Sequence, residues 1–106
     1  MLANQRTIKN SGSLKGIGLH TGRMCTLTFT PAPTGHGIRF IRTDLEHTPE
    51  IPAYIDHVTD VLRGTSLSVG DDVVHTVEHV VAAISGLQID NIRVELTADE
   101  PPVMDG

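Results

Sequence analysis

Residues 24–30 alternate in character, with Cys25, Leu27 and Phe29 falling on one side and Thr26, Thr28 and Thr30 on the other. A period of two sends successive side chains to opposite faces of an extended chain, so the stretch predicts a half-buried strand. Pro31 and Pro33 close it, because proline has no amide to give to a ladder. Residues 34–37 then read as a turn and Ile38–Arg42 as the returning strand of a hairpin. Ile51, Ala53 and Ile55 suggest a further extended piece beside Pro49 and Pro52. Residues 65–69 predict a short strand closed by a turn at Gly70-Asp71-Asp72. Near the end, Ile92, Val94 and Leu96 oppose Arg93 and Glu95, again a half-buried strand.

One segment has a different period. Val77, Val80, Val81, Ile84 and Leu87 recur at helical spacing, with Gly86 or Gln88 near the end. Asp71 and Asp72 precede the start, where acidic charge suits the helix dipole. A second short helix is predicted over residues 57–62. Strands of mixed connection with one strong helix give an α+β class: a two-layer sandwich of a mixed, largely antiparallel sheet with helices on one face. On the strong helix, the side opposite the valines carries His75, Glu78, His79, Ala82, Ala83 and Gly86. A solvated face normally carries charge along its length, yet no charged residue follows His79 until Asp90. Small residues there call for close packing, either by a partner outside the chain or within a helix buried on both faces.

Composition narrows the picture. The 106 residues are enough for one domain with a modest core. The apolar fraction of 39% is mostly Val, Ile and Leu, and the aromatics are Phe29, Phe40 and Tyr54 alone, which favours strands. Thirteen acids against eight bases give a net charge of −5 without any basic run, which argues against a nucleic-acid partner. Cys25 is the single cysteine, so neither an internal disulfide nor a cysteine cage for zinc is available, and a reducing compartment fits. No apolar stretch approaches the ~20 residues of a membrane span, and no apolar signal core follows the N-terminus; a cytoplasmic location is expected. Gly12, Gly16, Gly18 and Gly22 punctuate the N-terminal half, but their spacing does not match the dinucleotide fingerprint. They read as turn and close-approach positions.

The chemistry concentrates in His75-Thr76-Val77-Glu78-His79. Formally this is H-x-x-E-H, in which two histidines hold zinc and the glutamate activates water. Residues four apart share a helix face, so His75 and His79 would meet one ion with Glu78 about 100° further round. Neutral imidazole suits zinc, and a carboxylate beside a zinc-activated water can take its proton. Two ordinary surface histidines on a helix remain the bland reading. His20, in a glycine-bounded turn, is either a site residue or a cap. His36, His47 and His57 lie in polar loops and read as surface residues.

Beyond that motif, several stretches are similar to a known family: Gln5-Arg6-Thr7-Ile8, Gly16-Ile17-Gly18-Leu19-His20-Thr21-Gly22, Arg42-Thr43-Asp44, Thr76-Val77-Glu78-His79, Ile89-Asp90-Asn91-Ile92 and Glu100-Pro101-Pro102-Val103-Met104-Asp105-Gly106. In order and spacing they resemble the first domain of the UDP-3-O-acyl-N-acetylglucosamine deacetylases, the LpxC family of lipid A synthesis. The resemblance implies a zinc-dependent amide hydrolase of two similar α+β domains with one catalytic Zn²⁺ at their junction. It implies that His79 is a zinc ligand, that Glu78 is the general base, and that His75 is not required. The remaining ligands would come from a second domain of the same polypeptide, absent here, and the first domain would be truncated at its C-terminal end. Leu19 and residues 62–66 would approach the acyl chain of the UDP-sugar substrate. Alone, the chain is expected to be inactive. The rival readings are a peptidase-like site using both His75 and His79, and a non-catalytic module of the same shape.

Overall fold

The computed structural model describes residues 5–18, 20–53, 58–60 and 66–102, with only the backbone for 58–60 and Ser85. The elements in chain order are β1 (Gly12–Ile17), β2 (Met24–Pro31), β3 (Ile38–Arg42), β4 (Glu50–Pro52), β5 (Val58–Asp60), β6 (Ser66–Val69), β7 (Asp72–Val74), α1 (Glu78–Gly86) and β8 (Ile92–Leu96). Five strands form one sheet in the order β1-β2-β8-β3-β4, and a three-stranded sheet, β5-β6-β7, adjoins β4. The class is α+β, with the helix and the smaller sheet packed onto the large one.

Alternation in the sequence sets the faces of the large sheet. Cys25 and Leu27 on β2, Phe40 on β3, Ile51 on β4, and Ile92, Val94 and Leu96 on β8 are all buried in one cluster. Val77, Val80 and Ile84 enter the same cluster from the helical segment, and Leu67 and Val74 from the smaller sheet. Branched aliphatics suit this arrangement, because they pack well on a pleated surface and lose little side-chain entropy there.

The hairpin predicted between residues 24–30 and Ile38–Arg42 does not form. β8 lies between the two strands, antiparallel to β2 and parallel to β3. β8 can take the central place because it supplies an apolar face of Ile92, Val94 and Leu96, all at most 1% exposed. Its start is pinned to the N-terminal segment and to the turn before β3. The Asp90 carboxylate accepts from the Arg6 amide at 2.8 Å, the Asn91 side-chain oxygen accepts from the Gly37 amide at 2.8 Å, and the Asn91 side-chain amide donates to Gln5 Oε1 at 2.8 Å. Gln5 Oε1 also accepts from the Gly35 amide at 2.9 Å. These clamps outbid a local turn as the determinant of pairing.

The structure corrects three further expectations. Gly12–Ile17, read as glycine-rich turns, is strand β1 along the edge of β2. The acidic pair Asp71-Asp72 does not cap a helix: Asp72 opens β7, which returns on β6 through a two-residue loop with Gly70 at φ 62. Glycine at the first central position is what such a tight hairpin favours. Of the helix predicted over 57–62, Val58–Asp60 is strand β5, and residues 57, 61 and 62 lie outside the described residues. No helix among the described residues is long and apolar enough to cross a membrane.

Candidate active site

α1 begins at Glu78, not at His75, because Thr76 holds a left-handed backbone (φ 55) that no helix interior accepts. His75 and His79 therefore do not lie four apart on one helix, and the shared-face argument for a two-histidine site does not apply. Glu78 and His79 stand together on the first turn of α1, Glu78 half-buried and His79 exposed. Val77 and Val80, either side of them, are at most 1% exposed and fix that turn to the core. At the other end, Gln88 takes φ 58 and the Ile89 amide reaches back to the Ile84 carbonyl at 3.2 Å, a left-handed helix stop. The helix face that carries His79 continues through Ala82, Ala83 and Gly86, all exposed, so this chain does not bury both sides of α1.

His75 turns elsewhere. Its Nδ1 lies 3.0 Å from Ser66 Oγ, and its Nε2 is 4.0 Å from Asp99 Oδ2. A serine–histidine–aspartate relay needs the carboxylate hydrogen-bonded to the ring, and 4.0 Å is too long for that. The His75 amide donates to the Asp99 carbonyl at 2.7 Å, which ties the approach to α1 to the bend after β8.

The same bend carries Glu100, a fully buried carboxylate. Its Oε1 accepts from the amides of His20 and Thr21, both at 2.9 Å. Its Oε2 accepts from the Thr76 hydroxyl at 2.6 Å and lies 3.0 Å from His20 Nδ1. His20 Nδ1 is also 3.1 Å from Thr76 Oγ1. Burial alone pushes the Glu100 carboxyl up, but the hydrogen bonds from Thr76, the two amides and the His20 ring outweigh it and bring it down from 4.5 to about 2. The glycine-rich loop is shaped to reach this group: a Cβ on Gly18 would come within 2.4 Å of Glu100 Oε1. Gly22 closes the turn with φ 68, its amide on the Gly18 carbonyl at 3.1 Å.

His20, which the sequence left open between site residue and cap, is thus brought against Thr76, two residues from Glu78. Leu19 lies outside the described residues, as do 62–65. His47 is a surface group paired with Asp72 at 2.9 Å, and His57 falls outside the described residues. Arg42, from the Arg42-Thr43-Asp44 stretch, is held within the chain: it is 8% exposed, forks onto Asp44 at 3.0 and 2.7 Å and donates to the Val73 carbonyl at 3.1 Å. Sequence reasoning missed Glu100 as a structural hub, since its place in an acid-proline-proline run gives no hint of complete burial.

By donor type, His79 and Glu78 suit zinc: an imidazole ligand beside a carboxylate able to take a proton. Among the described residues no cluster of three or more His, Cys, Asp or Glu is placed to hold an ion.

Residues 5–106 match the family model for UDP-3-O-acyl N-acetylglycosamine deacetylase. The whole chain is 63% identical to part of the bifunctional enzyme LpxC/FabZ of Chlorobaculum tepidum, covering 23% of that protein. It is 52% identical over 97% of its length to the UDP-3-O-acyl-N-acetylglucosamine deacetylase of Myxococcus xanthus. It is 46% identical over 99% of its length to that of Stenotrophomonas maltophilia. The chain spans about a third of the length of these two deacetylases, 33% and 35%.

Proposed function

The chain belongs to the UDP-3-O-acyl-N-acetylglucosamine deacetylase family, and on that premise we propose that it supplies one half of a zinc-dependent amide hydrolase active site. The full protein removes the N-acetyl group of UDP-3-O-acyl-N-acetylglucosamine in lipid A synthesis. The observation that carries this reading is the joint placement of Glu78 and His79 on the first turn of α1, on a side the chain's own core leaves uncovered. The family supports the substrate. The donor chemistry of the pair supports the metal.

In this reading His79 contributes one imidazole ligand, and the rest of the polypeptide contributes the others from a second domain packed over the His79 side of α1. Zinc, when bound, supplies Lewis-acid polarisation of the acetamide carbonyl and makes a water easier to deprotonate. Glu78 accepts a proton from the attacking water and returns it to the departing amine nitrogen. The C–N bond breaks, and acetate and the free amino sugar leave. Rigid burial of Val77 and Val80 holds both side chains at fixed height over the core, which limits the reorganisation needed during the reaction. Exposed Ala82, Ala83 and Gly86 leave room for close approach of the second domain. Leu19 and the 62–66 segment are assigned to the acyl chain of the substrate.

The experiment is Glu78→Gln in the full-length protein, with zinc content and acetate release measured on the same preparation. A general base removed without loss of a ligand lowers turnover by ~10²–10⁴-fold and leaves zinc in place. Zinc lost in proportion to activity would make Glu78 a ligand and overturn the assignment.

A further inference from the structure

A carboxylate without partners would not tolerate the interior, and Glu100 has both oxygens occupied, each by two groups. Those partners come from separate parts of the chain: the loop after Gly18 and the residue two before α1. The second is the telling one. Thr76 is β-branched and sits at φ 55, a left-handed conformation that is strained for an L-residue and more so for a branched one. Such a residue stays there only if its surroundings hold it, and its hydroxyl is held by Glu100 Oε2 at 2.6 Å. Rotation at Thr76 would carry the first turn of α1 with it, because Glu78 and His79 follow at two and three residues.

We infer that Glu100 is a positioning residue for the α1 site: through Thr76 it fixes the backbone from which Glu78 and His79 project, and through the amides of His20 and Thr21 it locks the glycine-rich loop to the same point. Glu100 touches no reacting atom in this role. It acts through Thr76, and the inference rests on the reading of Glu78 as the base and His79 as a ligand.

The test uses full-length protein carrying Thr76→Ala, Thr76→Ser or Glu100→Gln. Acetate release from the acylated UDP-sugar, zinc content, melting temperature and amide hydrogen exchange of residues 78–81 are followed together. Thr76→Ala should lower kcat by about 10–100-fold with KM within about threefold, since a misplacement of about 1 Å has that effect. Exchange at 78–81 should rise at undiminished zinc content. Thr76→Ser, which keeps the hydroxyl, should retain at least about half the wild-type kcat. Glu100→Gln keeps the volume but replaces the charged acceptor facing Thr76 with an amide nitrogen that can only donate to the hydroxyl, and should lower kcat and raise exchange in the same direction as Thr76→Ala, by a smaller factor. If Glu100→Gln does not fold, the two Thr76 variants decide alone. Thr76→Ala with wild-type kcat and exchange sinks the inference, even if melting falls, because that is what a purely structural role predicts. A wild type that releases no acetate sinks the functional reading, and this inference with it.

Discussion

Gly18→Ala tests the close approach at the centre of the site. The added Cβ would lie 2.4 Å from Glu100 Oε1, 2.7 Å from Thr21 Oγ1 and 3.2 Å from Glu100 Cβ. Carbon atoms of this kind essentially never come within 3.0 Å of a neighbour, so the carboxylate must retreat by at least about 0.6 Å. It has nowhere easy to go, since Oε2 is fixed by Thr76 at 2.6 Å and Oε1 by two amides at 2.9 Å. Overpacking costs about 1–3 kcal/mol, and weakening a charge-assisted hydrogen bond adds about 1.5–3 kcal/mol when it is lost outright. A net loss of ~2–4 kcal/mol follows, which lowers the melting temperature of the domain that carries residue 18 by at least about 4 °C. Gly12→Ala is the control, because nothing lies within 4 Å of a Cβ there. Its effect should stay within about 0.5 kcal/mol. The assay is thermal unfolding of the full-length variants by circular dichroism and calorimetry. Melting of Gly18→Ala within about 1 °C of Gly12→Ala would refute the close approach and the packing argument built on it.

Two other outcomes are expected. Because the Glu100 carboxyl is lowered from 4.5 to about 2 in the folded chain, its contribution is complete above pH 4.5 and is lost as pH falls through about 2; at most roughly 3 kcal/mol is involved. Urea unfolding of wild type and Glu100→Gln should therefore show a stability gap that closes as pH is lowered from about 6 towards 2, and a gap independent of pH would contradict it. The isolated 106-residue chain should bind zinc weakly, since its described residues offer no three-ligand cluster; calorimetry showing stoichiometric nanomolar binding would mean that the site is complete within it.

Much of the fold was legible because alternation is a local signal. Ile38–Arg42 and Ile92–Leu96 appear as strands with the bounds read from the sequence, and Met24–Pro31 runs one residue further. Strand order was not legible. The insertion of β8 between β2 and β3 depends on contacts across more than fifty residues, such as Asn91 with Gly37, which no local turn pattern reveals. β1 was hidden by its glycines and by exposure of most of its side chains, which leaves no apolar face to read. The helix start was misjudged for a related reason: His75 and Thr76 fit the 3.6-residue spacing, but Glu100 holds Thr76 out of the helix from 24 residues away. At the site, the neighbouring placement of Glu78 and His79 on one helical turn was legible. Glu100 was not, because its burial is created by the loop and the helix approach folding around it.

The central claim is that this chain contributes one zinc ligand, His79, and that His75 is not one. The direct measurement is zinc stoichiometry of the full-length protein by atomic emission, for wild type, His79→Ala and His75→Ala prepared alike. The account predicts about one zinc per chain in the wild type, loss of it in His79→Ala, and retention in His75→Ala. Equal loss in both variants, or zinc retained by His79→Ala, would contradict it.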